Sequence, residues 1–306
     1  MKNVIITGAD GFIGSYTVKY FLEQGLEVLA IGKESSPRRL QSHKNMDYMQ
    51  CDITDVEFML NNIEDNKYDT FIHLAWNGSA GTARCDYNLQ LKNALCTVEC
   101  LKVAKKLGCG RFVCAGSIME YEVELVTHAQ ECRPGMGYLY GIGKQTAHNM
   151  CKSIATSIGI DLIWPIITNA YGVGEISQRF INTTLSKIIE NQPLRFTAAT
   201  QNYDFVYITD VAKAFYLIAK NGKPFCEYII GSANARPLKE FILEIQSVFP
   251  HAREFQFGDV PFTGISLPLS FFDTNRTERD CGFKAEIDFK KGILMTMDWM
   301  QEIKRC

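Results

Sequence analysis

Short apolar runs alternate with longer segments of helical apolar spacing through the first half of the chain. Runs that are apolar on both faces and joined by helical segments are typical of a parallel sheet covered by helices on both sides. The pattern therefore predicts an α/β fold with a doubly wound parallel sheet. The predicted strands are residues 3–7, 27–32, 69–76, 111–117 and 161–169, and the predicted helices between them are 11–25, 88–108 and 140–159.

Beyond about residue 167 the spacing changes to separate amphipathic helices, at 177–193 and 236–249, with irregular strands between them. Residues 205–222 return to the strand-and-helix pattern of the first half, with a carboxylate near the helix start, where it is favourable. We therefore expect two units, which are a sheet domain of residues 1–166 plus about 204–225 and a smaller α/β lobe of about 167–203 plus 226–306.

The first turn between strand and helix carries three glycines, in VIITGADGFIGSYTV. Gly8 permits a tight turn, Gly11 lets the backbone approach a pyrophosphate, and Gly14 allows helix and strand to pack closely. The pyrophosphate would lie on the positive N-terminus of the helix, beside Phe12 and Ile13. We therefore expect a Rossmann-type fold whose first turn binds a dinucleotide.

The end of the second strand indicates which dinucleotide binds. A carboxylate there would hold the adenosine ribose and favour NAD, whereas a basic group would favour NADP. Gly32 stands where the acid is expected, Lys33 follows, and Arg38 and Arg39 lie further on. Glu34 is the only nearby carboxylate, and the basic residues could instead form a solvated loop. The pattern favours NADP, with NAD as the alternative.

Charge and apolar content argue against several classes of partner. The chain has 306 residues with a formal net charge of −2 and no dense Lys/Arg run. We therefore expect neither nucleic acid nor an anionic membrane surface as a partner. The longest apolar stretches are too short to span a bilayer, and the N-terminus lacks the apolar stretch of a signal peptide. These features predict a cytoplasmic protein.

The cysteines are scattered, with no C-x-x-C pair. Cys96 and Cys100 stand four apart in a predicted helix, but no His or Cys pair nearby completes a tetrahedral site. The pattern predicts free thiols in a reducing cytoplasm and no metal site. The eleven cysteines are Cys51, Cys85, Cys96, Cys100, Cys109, Cys114, Cys132, Cys151, Cys226, Cys281 and Cys306.

An ordered set of motifs covers nearly the whole chain. It comprises T-G-x-x-G-x-x-G, CDITD, HLAW, a strand ending in Ser117, Tyr140-x-x-x-Lys144, NAYG at 169–172 and YDFVYITDVAKA at 203–214. In this order the set resembles the extended short-chain dehydrogenase/reductase superfamily, in its NAD-dependent epimerase/dehydratase type that acts on nucleotide sugars. The resemblance implies an enzyme with a nicotinamide dinucleotide cofactor, a nucleotide-sugar substrate and a smaller substrate lobe. By analogy it also implies a homodimer, formed through the helix that holds Tyr140 and the helix from Asn88.

The resemblance assigns further roles residue by residue. Asn169 is expected at the sugar nucleotide, and His73 in FIHLAW is interpreted as a structural histidine. The residues expected at the cofactor are Asp52 and Ile53 at the adenine, Leu74 and Ala75 through their backbone, Asn88 at the start of the next helix, and Ile166 and Ile167 near the nicotinamide.

Tyr140, Lys144 and Ser117 form a set suited to hydride-transfer chemistry. Hydride transfer at a carbinol carbon needs a group that gives or takes the hydroxyl proton, and free tyrosine, with a pKa of about 10, is a poor base at neutral pH. Lys144 lies one helical turn from Tyr140, so its charge can stabilise the phenolate, and it can also hold the nicotinamide ribose. Ser117 would hold the substrate oxygen against Tyr140. We therefore expect Tyr140 to be the acid/base.

The residues after Ser117 reduce the number of reactions that the resemblance allows. Dehydratases of the family carry T-D-E there, with Asp and Glu as acid and base, whereas this chain has Ile118 and Met119. Neither side chain transfers a proton, so dehydration is disfavoured. Two reactions remain, which are reduction of a 4-keto-6-deoxy sugar nucleotide by NADPH and 4-epimerisation with retained NAD. The Gly32-Lys33 pair and HLAW favour reduction.

The chain departs from the family pattern where the substrate is held. Tyr203 replaces the arginine that usually precedes DF, and Arg179 and Arg276 are candidates for the missing charge. Glu122 replaces the usual glycine of VYG, and Trp76 adds bulk beside the site. A reductase of a non-sugar carbonyl is therefore a further alternative. A non-catalytic dinucleotide sensor on the same fold is another, but it would not need Ser117, Tyr140 and Lys144, and all three are present. The substrate-binding candidates are Trp76, Ser117, Asn169, Arg179, Tyr203 and Arg276.

Overall fold

The structure, a computed structural model, describes residues 1–262 and 264–305, so Cys306 lies outside the described residues. The strands are β1 Asn3–Thr7, β2 Glu27–Gly32, β3 Met46–Gln50, β4 Thr70–His73, β5 Arg111–Cys114, β6 Gly116–Ser117, β7 Asp161–Ile167, β8 Asn169–Tyr171, β9 Leu194–Phe196, β10 Asn202–Tyr203, β11 Phe205–Tyr207, β12 Cys226–Ile230, β13 Arg236–Pro237 and β14 Phe255–Phe257. The helices are α1 Phe12–Glu23, α2 Val56–Asn62, α3 Tyr87–Lys106, α4 Met119–His128, α5 Leu139–Ile158, α6 Phe180–Ile189, α7 Ile208–Asn221, α8 Leu238–Val248, α9 Asn275–Cys281 and α10 Phe289–Arg305.

The main sheet is parallel throughout. In the described part of the chain it has eight strands, in the order β12-β7-β5-β4-β1-β2-β3, with β6 also paired to β7. Alternate residues of β1 enter different cores, since Val4 and Ile6 belong to one buried cluster and Ile5 to the other. Helices α1 and α7 pack together, as do α3 and α5. The predicted doubly wound α/β fold is confirmed.

The strand order reverses between β1 and β4. From β1 the chain proceeds outward through β2 and β3, and β4 then begins the other half on the opposite side of β1. A crevice forms at the carboxyl ends of the strands at such a point, and ligands of open α/β sheets bind there. Thr7 and His73 are the last residues of the two strands and are register partners, so both stand at this crevice.

Some elements were missed or were shorter than the apolar pattern predicted. The run at 111–117 is divided into β5 and β6 by Ala115, and β3 was not predicted at all. Strand β3 lies at the sheet edge and is only partly buried, so MDYMQ lacks the continuous apolar run of a central strand. Helix α4 follows Ser117 directly and was hidden by the mixed polarity of MEYEVELVTH.

The C-terminal part surrounds the crevice with short strand pairs and helices. The pairs are β8 with β11, β9 with β14, and β10 with β13. Strand β12, however, pairs with β7 in the main sheet. The boundary expected at residue 226 falls at the start of this strand, and we propose that the nucleotide-binding unit extends to Ile230.

Candidate active site

The glycine turn after β1 is tightly packed. Gly8 has φ +67°, and a Cβ there would lie 2.7 Å from the backbone N of Ala75. A Cβ on Gly14 would lie 2.0 Å from the carbonyl O of Gly8, so Gly14 lets the helix pack against the turn itself. In the described part of the chain no side chain caps α1, which begins after Gly11. The amide groups of its first turn are therefore available to an anionic ligand.

A cleft runs from this turn along the carboxyl ends of the central strands. Its first part is lined by Gly8, Gly11, Gly32, Lys33, Asp52, Ile53, Leu74, Ala75 and Trp76. Its second part shares Gly8, Gly11, Leu74 and Trp76 and continues to Phe12, Ile13, Gly14, Ser117, Tyr140, Lys144 and Ile167. We call the two parts together the cofactor cleft. It brings together most of the residues that the sequence predicted for cofactor binding.

The end of β2 has little room for a side chain. A Cβ on Gly32 would lie 2.5 Å from the hydroxyl of Tyr48, which donates a hydrogen bond to the carbonyl O of Glu34 at 2.6 Å. Lys33 Nζ lies 3.6 Å from Asp52 Oδ2 and is largely exposed. The pKa of Asp52 is lowered, chiefly by the backbone hydrogen bond from Thr54. At the end of β2 the cleft is therefore lined by Lys33, which is paired with Asp52. The Asp52 carboxylate also accepts the backbone hydrogen bond of Thr54 in the following turn.

Tyr140 and Lys144 project from one face of α5 into the cofactor cleft. Both are buried, and Lys144 Nζ donates a hydrogen bond to the carbonyl O of Ala115 at 2.8 Å. Ser117, at the end of β6, faces the same space. Its Oγ accepts a hydrogen bond from the backbone N–H of Met119 at 3.3 Å. The hydroxyl proton of Ser117 is therefore free to be donated to a ligand oxygen.

Aromatic and cationic groups surround the Tyr140 ring. Trp76 makes an edge contact with it at a centroid distance of 6.0 Å, and Lys144 Nζ lies 3.8 Å from the Trp76 ring centroid. The guanidinium carbon of Arg84 lies 4.8 Å from the Tyr140 ring centroid. Trp76 is fixed by its Nε1, which donates to Gln90 Oε1 at 2.9 Å. Two cations therefore flank the Trp76–Tyr140 pair, with Lys144 over the indole ring and Arg84 over the phenol ring.

A second cavity opens on the other side of Tyr140, and we call it the distal cavity. It shares Ser79, Ser117, Tyr140, Thr168, Ala170, Glu175 and Arg179 with the cofactor cleft. Its further lining includes Arg84, Ile118, Met119, Glu122, Asn169, Asn202, Tyr203 and Phe205. Tyr140 and Ser117 thus stand where the two spaces meet. A molecule in the distal cavity could touch them at the same time as a molecule in the cofactor cleft.

The distal cavity contains titratable groups with displaced pKa values. Burial raises the pKa of Glu122 to about 7, although the positive charge of Arg84 opposes the shift. Burial, and then the negative charge of Glu122, raise the pKa of Tyr203 to about 12. Arg179 reaches the cavity wall, where its Nη2 lies 3.4 Å from Ser79 O. The cavity therefore carries two arginines, Arg84 and Arg179, and two carboxyl groups, Glu122 and Glu175, and Glu175 Oε2 lies 3.9 Å from Arg179 Nε.

Three of the residues predicted for the site are placed elsewhere. Asn88 is exposed on α3, and Arg276 is exposed on α9, and neither lines the cofactor cleft or the distal cavity of the described structure. Ile166 is buried beneath the cleft, where its Cδ1 would lie 2.7 Å from a Cβ on Gly116. Ile166 therefore packs beneath the cofactor cleft without lining it, whereas Asn88 and Arg276 lie outside the site.

The sequence reading missed polar residues that shape the site. Asn93, buried on α3, accepts from the N–H of Asn77 at 3.2 Å and donates to its carbonyl at 2.7 Å. Gln90 holds Trp76 and the loop carbonyls of Gly78 and Ala83. Both lie on the buried face of α3, two and five residues beyond Asn88. That helical spacing was the available signal, whereas Arg84 lies in a single 3₁₀ turn, Thr82–Cys85, which is too short to show a periodic pattern.

His73 has a partner for each ring nitrogen. Nδ1 lies 2.8 Å from Thr7 Oγ1, and Nε2 lies 3.2 Å from Thr97 Oγ1. Burial, followed by the charge of Lys144, lowers the pKa of His73 to about 3. The imidazole is therefore neutral at physiological pH, as a structural histidine in a core should be.

A comparison of the sequence with models of protein families identifies the family of the chain. Residues 4–231 match the NAD dependent epimerase/dehydratase family. The chain belongs to this family. The match spans the glycine turn, Ser117, Tyr140 and Lys144, and it confirms the resemblance to extended short-chain dehydrogenase/reductase enzymes.

Members with known names are distant in sequence but similar in length. The chain is 24% identical to the CDP-abequose synthase of Salmonella typhimurium, over 95% of each chain. It is 26% identical to a putative UDP-glucose 4-epimerase of Methanocaldococcus jannaschii, over 99% of each. Among solved structures, the UDP-glucose 4-epimerase of Thermotoga maritima superposes with a TM-score of 0.81 at 17% identity, covering 99% of each chain. The WbmF enzyme of Bordetella bronchiseptica, solved with NADH, has a TM-score of 0.78 at 20% identity.

The epimerase/dehydratase family uses a nicotinamide dinucleotide, and the cofactor cleft suits one. The uncapped start of α1 and the glycine turn fit a pyrophosphate, and Tyr140 and Lys144 line the continuation of the same cleft, where Lys144 would be the residue to hold the nicotinamide ribose. Within the described residues, no cluster of three or more His, Cys, Asp or Glu side chains is arranged to hold a metal ion. No described helix is long and apolar enough to cross a membrane.

Proposed function

We propose that this enzyme reduces the 4-keto group of a nucleotide-linked 6-deoxyhexose. The observation that carries the proposal is the position of Tyr140, which lines both the cofactor cleft and the distal cavity. Ile118 and Met119 line the distal cavity next to Ser117. Neither side chain carries an acid or a base, so the residues beside Ser117 support proton transfer by Tyr140 and not elimination of water.

The chemistry follows from the groups at the junction. The dinucleotide, when bound, supplies the hydride. Ser117 Oγ donates its free proton to the substrate carbonyl oxygen and so holds it towards Tyr140. Tyr140 gives its phenolic proton to that oxygen as the carbinol forms. Arg84, whose guanidinium lies over the Tyr140 ring, and Lys144, one helical turn from Tyr140 on α5, stabilise the phenolate left behind.

NADPH is the proposed cofactor, with NAD as the alternative. Support for NADPH comes from Lys33, which lines this part of the cleft, and from Gly32, which puts no side chain at the last position of β2, although Asp10, Glu34 and Asp52 line the same space. The substrate diphosphate is proposed to bind Arg179, since this arginine lines the distal cavity. Arg276 is exposed on α9, so we assign no substrate contact to it.

A 4-epimerase with retained NAD is the second candidate. The same Ser117, Tyr140 and Lys144 would serve it, since epimerisation needs oxidation and re-reduction at one carbon. Its specific support is that Asp52, which pairs with Lys33, reduces the net positive charge offered to a ribose phosphate. The two candidates differ in how the cofactor is held and consumed.

The experiment is a titration of purified protein with NADPH and NADH after measuring co-purifying cofactor by absorbance. We expect exchangeable binding that favours NADPH, and NADPH oxidation in a screen of 4-keto sugar nucleotides. Tyr140→Phe should lower kcat by about 10²-fold or more with little change in cofactor affinity. Tightly retained NAD(H), with interconversion of 4-epimers and no net oxidation, would replace the proposal with the epimerase.

We also propose a homodimer in the cytoplasm. The outer face of α3 carries Tyr87, Leu91 and Leu95 at one-turn spacing, each more than half exposed. Ile142 and Met150 are exposed on α5, which packs beside α3. Exposed apolar surface spread over two neighbouring helices suits burial against a second copy. The ten cysteines among the described residues are free thiols, which fits a reducing compartment.

A further inference from the structure

A buried carboxylate lies directly behind Ser117. Glu120, in the first turn of α4, is 3% exposed. Its Oε1 accepts a hydrogen bond from the backbone N–H of Ser117 at 2.8 Å. The indole Nε1 of Trp164 lies 3.2 Å from both carboxylate oxygens, and Nδ1 of His148 lies 3.0 Å from Oε2. The backbone N–H of Ser117 and the indole N–H of Trp164 donate to this carboxyl group, and the ring of His148 contacts its other oxygen.

The group that supports Glu120 belongs to the catalytic face of α5. His148 lies one helical turn beyond Lys144 and two beyond Tyr140. Its ring stacks on Trp164 at a centroid distance of 4.3 Å and an interplanar angle of 3°. Its Nε2 faces Glu227, whose other oxygen accepts from Tyr121 Oη at 2.8 Å. The carboxylate is therefore held from α5 and β7 while it holds the backbone of Ser117.

Ser117 depends on this contact for its position. Its N–H lies at a buried point, where an amide without a hydrogen-bond partner is destabilising. Strand β6 has only two residues, so few ladder hydrogen bonds fix it. The Trp164 indole also fills the space that a side chain at position 116 would take, since a Cβ there would lie 2.4 Å from Nε1. The position of Ser117 is therefore fixed by two residues: Glu120 through its hydrogen bond to the backbone N–H, and Trp164 through its packing against Gly116.

We propose that Glu120 is a positioning residue for the proposed reaction, acting through Ser117. Glu120 does not line the cofactor cleft or the distal cavity of the described structure, so it does not touch substrate or cofactor. By fixing the N–H of Ser117, it directs Oγ towards the junction of the two spaces. The inference rests on the proposed function, because the role of Ser117 in catalysis does.

The test is a double-mutant cycle between Glu120→Leu and Ser117→Ala. Glu120→Leu removes the acceptor in a similar volume, and we expect kcat to fall roughly tenfold or more with cofactor Kd within about twofold. In the Ser117→Ala background the same change should lower kcat by less than about twofold, because no hydroxyl remains to be positioned. Glu120→Gln, which keeps an acceptor for the N–H of Ser117, should restore most of the activity. Equal losses in both backgrounds would show a general structural role and overturn the proposal.

A second variant covers the case in which Glu120→Leu does not fold. A measurement that needs no substrate covers the case in which the wild type shows no activity. If Glu120→Leu does not fold, His148→Phe keeps the stacking on Trp164 but removes the ring nitrogen that contacts Glu120, and it enters the same cycle. Amide exchange at Ser117 should be faster than in the wild type by about tenfold or more in Glu120→Leu, which lacks the acceptor, and should also be faster in His148→Phe, where Glu120 loses a contact that holds it. This exchange needs no turnover, so it tests the positioning even where the wild type reduces no 4-keto sugar nucleotide and the proposed function fails. Unchanged exchange would contradict the role of Glu120 alone.

Discussion

The carboxyl group of Glu122 changes charge within the working pH range of most enzymes. Burial raises its pKa to about 7, so it is largely neutral at pH 6 and largely charged at pH 8. Because it lines the distal cavity, its charge would repel the diphosphate of a nucleotide sugar. The KM for such a substrate should therefore rise several-fold from pH 6 to pH 8.

Substitution separates this effect from other titrations. Glu122→Gln should flatten the dependence of KM on pH while leaving the cofactor Kd unchanged. Glu124→Gln, at an exposed position of the same helix, is the matched control and should behave as the wild type. A Glu122→Gln variant whose KM still rises with pH would show that another group is responsible.

The titration of His73 makes the stability of the folded chain decrease as the pH falls. Its pKa in the folded chain is lowered to about 3 by burial, whereas a free histidine titrates near 6.5. The unfolded chain therefore binds a proton as the pH falls below about 6.5, and the folded chain does not until about pH 3. The contribution to stability is fully present above pH 6.5 and is lost as the pH falls towards 3.

Urea unfolding of the wild type and His73→Gln at pH 7.5 and pH 5 measures this link. We expect the free energy of unfolding of the wild type to fall by about 2 kcal/mol more than that of the variant between these pH values. His43→Gln, at an exposed position, should show the wild-type dependence. Equal pH dependence in wild type and His73→Gln would mean that His73 is not the linked group.

At the scale of elements, the outer face of α3 determines the proposed assembly. Leu91 is 55% exposed and Leu95 is 59% exposed, one turn apart. Leu91→Glu with Leu95→Glu would place charges in a dimer interface and should convert a dimer into a monomer. Light scattering after size-exclusion chromatography gives the mass directly. Leu243→Glu, at an exposed apolar position of α8, is the matched control and should leave the mass unchanged. A wild-type chain that is monomeric at all concentrations would contradict the proposed dimer.

Elements with a strong local pattern were predictable from sequence, and those set by distant contacts were not. Strands β1 and β2 have the bounds predicted from their apolar runs, because both are buried in the sheet. The Tyr140–Lys144 pair was found because it lies on one helix. Arg84 reaches Tyr140 from a loop 56 residues earlier, and no periodic pattern connects the two. Asn88 was selected as the start of α3, whereas burial favoured Asn93 further along the same helix.

For the whole molecule, a single segment connects the two halves of the site. Residues 172–179 leave β8 and supply Glu175 and Arg179 to both the cofactor cleft and the distal cavity. The segment is tied to the nucleotide-binding side, where Tyr16 Oη donates to Val173 O at 3.0 Å and Arg39 Nη2 donates to Gly174 O at 2.9 Å. The same segment therefore forms part of the wall of both spaces and is held by hydrogen bonds to α1 and to the loop after β2.

The Tyr48 ring, which crowds Gly32, limits which side chains can be introduced at position 32. In a parallel sheet of this type, a carboxylate at the end of the second strand favours NAD, and one substitution would usually introduce it. Here the ring of Tyr48 lies in the space that the new side chain needs. Tyr48 would have to shift or be replaced first, and its loss removes the tie between β3 and the loop at Glu34. A carboxylate at position 32 therefore has to be accompanied by a change in the position or the identity of Tyr48.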